Sequence, residues 1–220
     1  MRMVSGRAVP PFLAVLAALL AAGCAAPPKK DYSKFRAADP HSVLVVPAVN
    51  NTVSVEAPAL YLTTLPIPLA ERGYYVFPVN MVKQVLEDEG LADPGVVHGA
   101  DPTRLCGLFG ADAVLYVAIE TWTAEYLLFN TQVRVEFDYV MKDGKTGDTI
   151  WRDRRMIYQD SSQGARDPVS PFVMALIAKA YPNYTGLARS ANQQAFWWPG
   201  MGLPPGPYHS LYGKDPAYGN

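Results

Sequence analysis

The chain has 220 residues, of which 50% are hydrophobic and 11% aromatic, with a formal net charge of −1. That content supports a packed core and excludes a disordered chain. The near-neutral balance argues against a nucleic-acid partner, which calls for a basic surface.

The N-terminus reads as targeting rather than structure. Arg2 and Arg7 supply a positive region, and Phe12 to Ala22 is an uncharged apolar run ending in Leu20-Ala21-Ala22-Gly23-Cys24. The run falls short of the roughly 20 apolar residues that cross a bilayer. Residues 1–23 are therefore expected to be a lipoprotein-type signal peptide, with Cys24 lipidated. Leu20 lies one place further from the cysteine than the usual motif puts it. The competing reading is an ordinary secretory signal with Cys24 a bystander. Two or more acyl chains hold a protein stably on a membrane. Ala25, in place of Asp, favours the outer membrane, with the domain facing the periplasm. Residues 24–40 contain Pro27, Pro28 and Pro40 among polar residues and read as a flexible stalk. Losing Arg2 and Arg7 with the signal removes two positive charges from −1 and leaves −3. Cys106 is then the one thiol left, so no intramolecular disulfide can form. It reads as a buried small hydrophobe, with a reactive thiol as the alternative.

From residue 41 the pattern becomes that of a domain. Ser42 to Val49 is a short β-branched run, a buried strand. Val55 to Arg72 has Ala59, Leu62, Leu65 and Leu69 at helical spacing, interrupted at Pro66 and Pro68 and ended at Gly73. Tyr74 to Val79 is aromatic and β-branched, a second strand. Asn80 is expected to cap a helix over 81–90, with Val82, Val85 and Leu86 on one face. Asp101 or Thr103 opens a further helix that stops at Gly110. Ala113 to Glu120 is a third strand that can run on to Phe129. Thr131 to Lys142 alternates, with Val133, Val135, Phe137, Tyr139 and Met141 on one side. Asp143-Gly144 and Gly147-Asp148 turn the chain into a partner strand over 149–158. One face of this hairpin is expected to be packed and the other wet. Pro171 to Phe196 is helical and broken at Pro182. Residues 197–220 are rich in Pro, Gly, Tyr and Trp without periodicity, a tail that lies across the domain or waits for a partner. The resulting class is α+β: a single sheet of mixed strands with helices packed on it over residues 41–196, plus the irregular C-terminal tail.

Catalytic signatures do not emerge. His41, His98 and His209 share no metal-ligand spacing and read as solvated. Neither a Gly-x-Ser-x-Gly elbow nor a Ser-x-x-Lys motif occurs. Gly200-Met201-Gly202 precedes prolines rather than a helix, so it is no dinucleotide loop. Asp143–Asp148 lacks the ligand number of a calcium loop. Glu87-Asp88-Glu89 reads as a solvated helix end. Arg152, Arg154 and Arg155 around Asp153 read as an ion-pair lattice, with lipid headgroups or an acidic partner as the alternative. No metal site, catalytic residue or cofactor is expected. Two aromatic clusters stand out, Tyr126, Leu128 and Phe129, and Phe196, Trp197 and Trp198. Each either packs on its own sheet or forms an interaction surface.

Pro68 to Val79, Gly110 to Tyr116 and Leu203 to His209 together sample nearly the whole mature chain. They resemble a group of bacterial lipoproteins known as domain of unknown function 799, with a surface-antigen lipoprotein of pathogenic bacteria as its best-known member. The resemblance implies a fold similar to the N-terminal domain of the Tol-system translocation protein. It also implies self-association as a dimer and partnership with a lipoprotein resembling the curli-secretion pore. It implies no enzyme activity. The leading expectation is an outer-membrane-anchored, non-enzymatic accessory or assembly component of an envelope secretion or transport complex. A small-molecule or glycan-binding lipoprotein is the alternative.

Overall fold

The computed structural model describes residues 30–126, 131–160 and 183–215. In chain order the described elements are α1 (Ser33–Ala38), β1 (Ser42–Val45), β2 (Val49–Asn50), α2 (Ala57–Leu62), α3 (Pro66–Glu71), β3 (Tyr75–Val76), α4 (Val79–Asp88), α5 (Pro94–Gly99), α6 (Pro102–Phe109), β4 (Ala113–Tyr126), β5 (Thr131–Asp143), β6 (Thr149–Asp160) and α7 (Tyr184–Trp197). Six strands form one mixed sheet in the order β3-β1-β4-β5-β6, with β2 beside β4. β1 runs parallel to β3 and β4, while β4, β5 and β6 are antiparallel neighbours. The α+β class holds.

The parallel half is short and fixed by side chains at its ends. Asp112 accepts hydrogen bonds from the Ser42 amide at 2.9 Å and its hydroxyl at 2.8 Å, and the Ser42 hydroxyl accepts from the Asp112 amide. This exchange sets Val43 opposite Ala113, and it explains an aspartate straight after Gly110-Ala111. Asp101 caps α6 and Gly110 ends it in the left-handed conformation.

Helices cover both faces of the sheet. On one, α2, α3 and α7 bury Tyr61, Leu65 and Phe196 against the inward row of β5, namely Val133, Val135, Phe137, Tyr139 and Met141. On the other, α4, α5 and α6 bury Val82, Leu86, Val97 and Leu105 against Leu44 and Val114. This second layer covers β1 and the adjoining ends of β4 and β5. Farther along the hairpin, Arg154, Met156 and Tyr158 are exposed, which leaves that stretch wet as the alternation requires.

Several features depart from the sequence pattern. Glu120 is a bulge, with Ile119 opposite Phe137 and Thr121 opposite Glu136. One inserted residue reverses the alternation, so Ile119 before it and Trp122 after it both face the core. The second strand is two residues long rather than six, because Pro78 ends it and serves as the N-cap of α4. Asn80 lies inside that helix instead of capping it. Helix α5, capped by Asp93, is too short for periodicity to reveal. The segment expected to be a flexible stalk is folded from Lys30 onward. Tyr32 and Phe35 are buried, and Tyr32 donates to the Gly202 carbonyl at 2.6 Å. The 171–182 part of the long expected helix lies outside the described residues, and α7 begins at Tyr184 behind its Asn183 cap.

The tail packs across the N-terminal ends of the parallel strands. Leu203 to Gly206 are buried. Gly206 and Tyr208 donate backbone hydrogen bonds to the carbonyls of Arg72 and Gly73. Arg72 reaches the Leu203 carbonyl at 2.7 Å and Asp215 at 3.0 Å, all within the interior. Gly73 has φ +90°, and a Cβ there would meet the His209 amide nitrogen at 2.5 Å, so only glycine fits this crossing.

Candidate docking crevice

The strand order makes a crevice where the chain changes faces. β1 lies next to β3. The chain leaving β1 goes to the α2/α3 face, and the chain leaving β3 goes to the α4 face. At such a switch point, outside the carboxyl ends of parallel strands, the two connections part and leave a gap. Here the gap is about 630 Å³, within the range of small-molecule and peptide sites.

Apolar atoms dominate its lining. Pro47 and Ala48 follow β1. Pro58, Ala59 and Leu62 of α2 form one wall, and Val79 of α4 and Leu91 form the other. Pro66 and Pro94 also line it, so four prolines with fixed φ help set its shape. Val55 belongs to the wall yet is 89% exposed, and Val53 beside it is exposed as well. Polar groups are confined to Asn80, Lys83, Glu87 and Thr63. Lys83 and Glu87 pair across one helical turn at 2.6 Å. Behind the crevice, His98 Nε2 donates to the Pro47 carbonyl at 3.0 Å and its ring meets Tyr116 edge to face. That carbonyl can only accept, so Nε2 carries the proton. Burial, with Lys142 adding to it, holds the His98 pKa below its ordinary value.

The residues singled out by sequence divide between core and surface. Phe196 is fully buried between Tyr139 and Trp151 and is removed from the candidate interaction surface. Its neighbours Trp197 and Trp198 remain 36% and 47% exposed. Adjacent helical residues point about 100° apart, so one pair splits between core and solvent. Tyr126 ends the described part of β4, and Leu128, Phe129 and Cys24 lie outside the described residues. Arg154 pairs with Glu136 and Arg155 with Asp153, an ion-pair lattice. Cys106 is buried, and burial, with Asp143 and Asp112 nearby, pushes its thiol up to about 12. His98 and His209 are packed rather than solvated, the latter against the Trp197 ring. Among the described residues, no group of three or more His, Cys, Asp or Glu could hold a metal ion, and no helix is long and apolar enough to cross a membrane.

Sheet and helix layers together define the class, an α+β domain. The chain belongs to the GNA1162-like lipoprotein family, whose model matches residues 30–193. Among its relatives, the lipoprotein NMB1124/NMB1162 of Neisseria meningitidis serogroup B is 30% identical over 165 residues, 75% of this chain and 77% of that one. The crystal structure of lipoprotein GNA1162 from Neisseria meningitidis is similar with a TM-score of 0.54 at 26% identity, over 66% of this chain and 99% of that chain. Membership supports the coarse assignment of a lipid-anchored envelope protein.

Proposed function

We propose that the protein is a non-enzymatic accessory component of an envelope secretion or transport complex. In this reading Cys24 carries the lipid, the anchor sits in the outer membrane and the domain faces the periplasm. The observation behind it is the apolar crevice. It is shaped by proline-containing walls, borders the exposed Val53 and Val55, and lacks convergent titratable groups beyond the Lys83–Glu87 pair. Such a surface suits an apolar protein segment, because exposed apolar patches mark interaction sites. A lipoprotein resembling the curli-secretion pore and a second copy of this chain are the partners the family resemblance brings forward.

The test is photo-crosslinking in intact cells from Val55 in the crevice wall and, as control, from exposed Gln194 on α7. A defined envelope partner should be captured from Val55 and lost when Ala59→Trp fills the crevice. Equal capture from Gln194, or indifference to Ala59→Trp, would remove the crevice from the docking role. The crevice volume also supports a second reading, an apolar small-molecule site. In that case, native mass spectrometry of protein purified from membranes should show a bound mass that Ala59→Trp abolishes.

A further inference from the structure

The pole opposite the crevice gathers the anchored end of the chain, the tail and a group of exposed aromatics. Lys30 is held at 2.8 Å by Asp153, which is itself buried, and Lys30 Nζ sits 5.3 Å over the Trp151 ring. From Lys30 onward the backbone is docked, through the Tyr32 hydroxyl and buried Phe35. Six Cα steps separate Cys24 from Lys30, a reach of about 20 Å when fully extended. Asp153 also accepts from Arg155 at 2.6 Å, and the Arg155 guanidinium lies 5.1 Å over the Trp198 ring. Three contacts in series, Lys30–Asp153, Asp153–Arg155 and Arg155–Trp198, therefore link the anchor segment to Trp198. Trp197 packs on His209, next to exposed Tyr208 and close in sequence to exposed Leu211.

We propose that this Trp198 face rests against the lipid bilayer that holds the chain's own anchor. The proposal rests on lipidation at Cys24. Given that anchor, the length of chain selects the occupant, because about 20 Å of tether brings this pole to the headgroups before any other part of the domain. The chemistry agrees. Trp and Tyr prefer the headgroup level, where one side is apolar and the other wet. The crevice, at the other ends of β1 and β3, then points away from the bilayer.

Of the four tryptophans, Trp122 and Trp151 are buried, so contact quenching reads Trp197 and Trp198. The mature lipidated protein, purified from membranes, is reconstituted into phosphatidylethanolamine–phosphatidylglycerol vesicles with plain or brominated acyl chains. Flotation reports the anchor, and tryptophan emission reports the face. The expected result is co-flotation, lower emission with brominated lipid, and loss of most of that difference in Trp198→Ala. Trp198 makes its helix-end hydrogen bonds through the backbone, so an unchanged melting temperature verifies the fold of the variant. Co-flotation with equal emission in both lipids overturns the proposal while leaving the anchor intact. Emission shielded from acrylamide yet untouched by bromine assigns the face to a protein contact and overturns it too. A parent that does not float, or a Cys24→Ser variant that floats as well, refutes the anchor at Cys24 and takes the proposal with it.

Discussion

The Tyr139 hydroxyl donates to Asn192 Oδ1 across 2.7 Å in the interior, joining β5, the middle strand of the antiparallel run, to α7. Tyr61 donates to the same oxygen at 3.0 Å, while Asn192 Nδ2 reaches the Thr64 hydroxyl at 2.9 Å and its carbonyl at 3.2 Å. One side chain thus satisfies donors and acceptors from α2, the turn after it and β5. Asn192→Leu leaves two tyrosine hydroxyls and the Thr64 groups without that partner. Unmet buried hydrogen bonds cost about 1–3 kcal/mol each, and relaxation recovers part of the sum. We expect a loss of about 3 kcal/mol, measured by urea unfolding. A loss below about 1 kcal/mol would mean that the network contributes little beyond packing.

Gly73→Ala should loosen the tail specifically. The left-handed backbone and the approach of the His209 amide both oppose a Cβ. A cost of about 1–3 kcal/mol is expected. Limited proteolysis should then cut within 203–215 before it cuts elsewhere. Cleavage at the same rate as the parent would contradict the crossing described.

Cys106 should resist labelling. Its thiol is buried, and a pKa near 12 leaves almost no thiolate at neutral pH. A bulky maleimide should react at the rate of global unfolding and speed up with added urea. Rapid labelling of the folded protein would restore the reactive-thiol reading.

His98 predicts an acid-sensitive term in stability. Its folded pKa is lowered, so above its ordinary value near 6.5 both states are neutral and the stability is fully present. As pH falls through that value toward the lowered one, the unfolded chain takes up a proton first and stability is lost. His98→Phe should therefore flatten the decline in melting temperature below about pH 6.5 relative to the parent. Parallel curves for the two proteins would exclude a role for this histidine.

How far the fold was legible depended on how local each signal is. The inward row of β5 could be read because a period of two repeats over five residues, Val133 to Met141. The interruption near Pro66 was equally plain, since proline acts through its own ring. The bulge at Glu120 leaves no compositional mark, and its effect appears only when Trp122 is found inward beside Ile119. Tyr32 and Phe35, three apart in a Lys- and Asp-rich stretch, were the one hint that the presumed stalk folds. The Phe196–Trp198 cluster divides between core and surface because neighbours in sequence are not neighbours on a helix surface. The crevice had no motif at all, for Pro47, Leu62, Val79 and Leu91 converge only through strand order.

Arg72 lies in the first half of the chain, yet its buried counterion is Asp215. The domain's interior charge is thus left uncompensated until residues 203–215 have docked. An uncompensated buried cation is costly enough to oppose closure around it. Tight closure of the core around Arg72 thereby waits for the strap of residues 203–215, the last part of the described chain to be made.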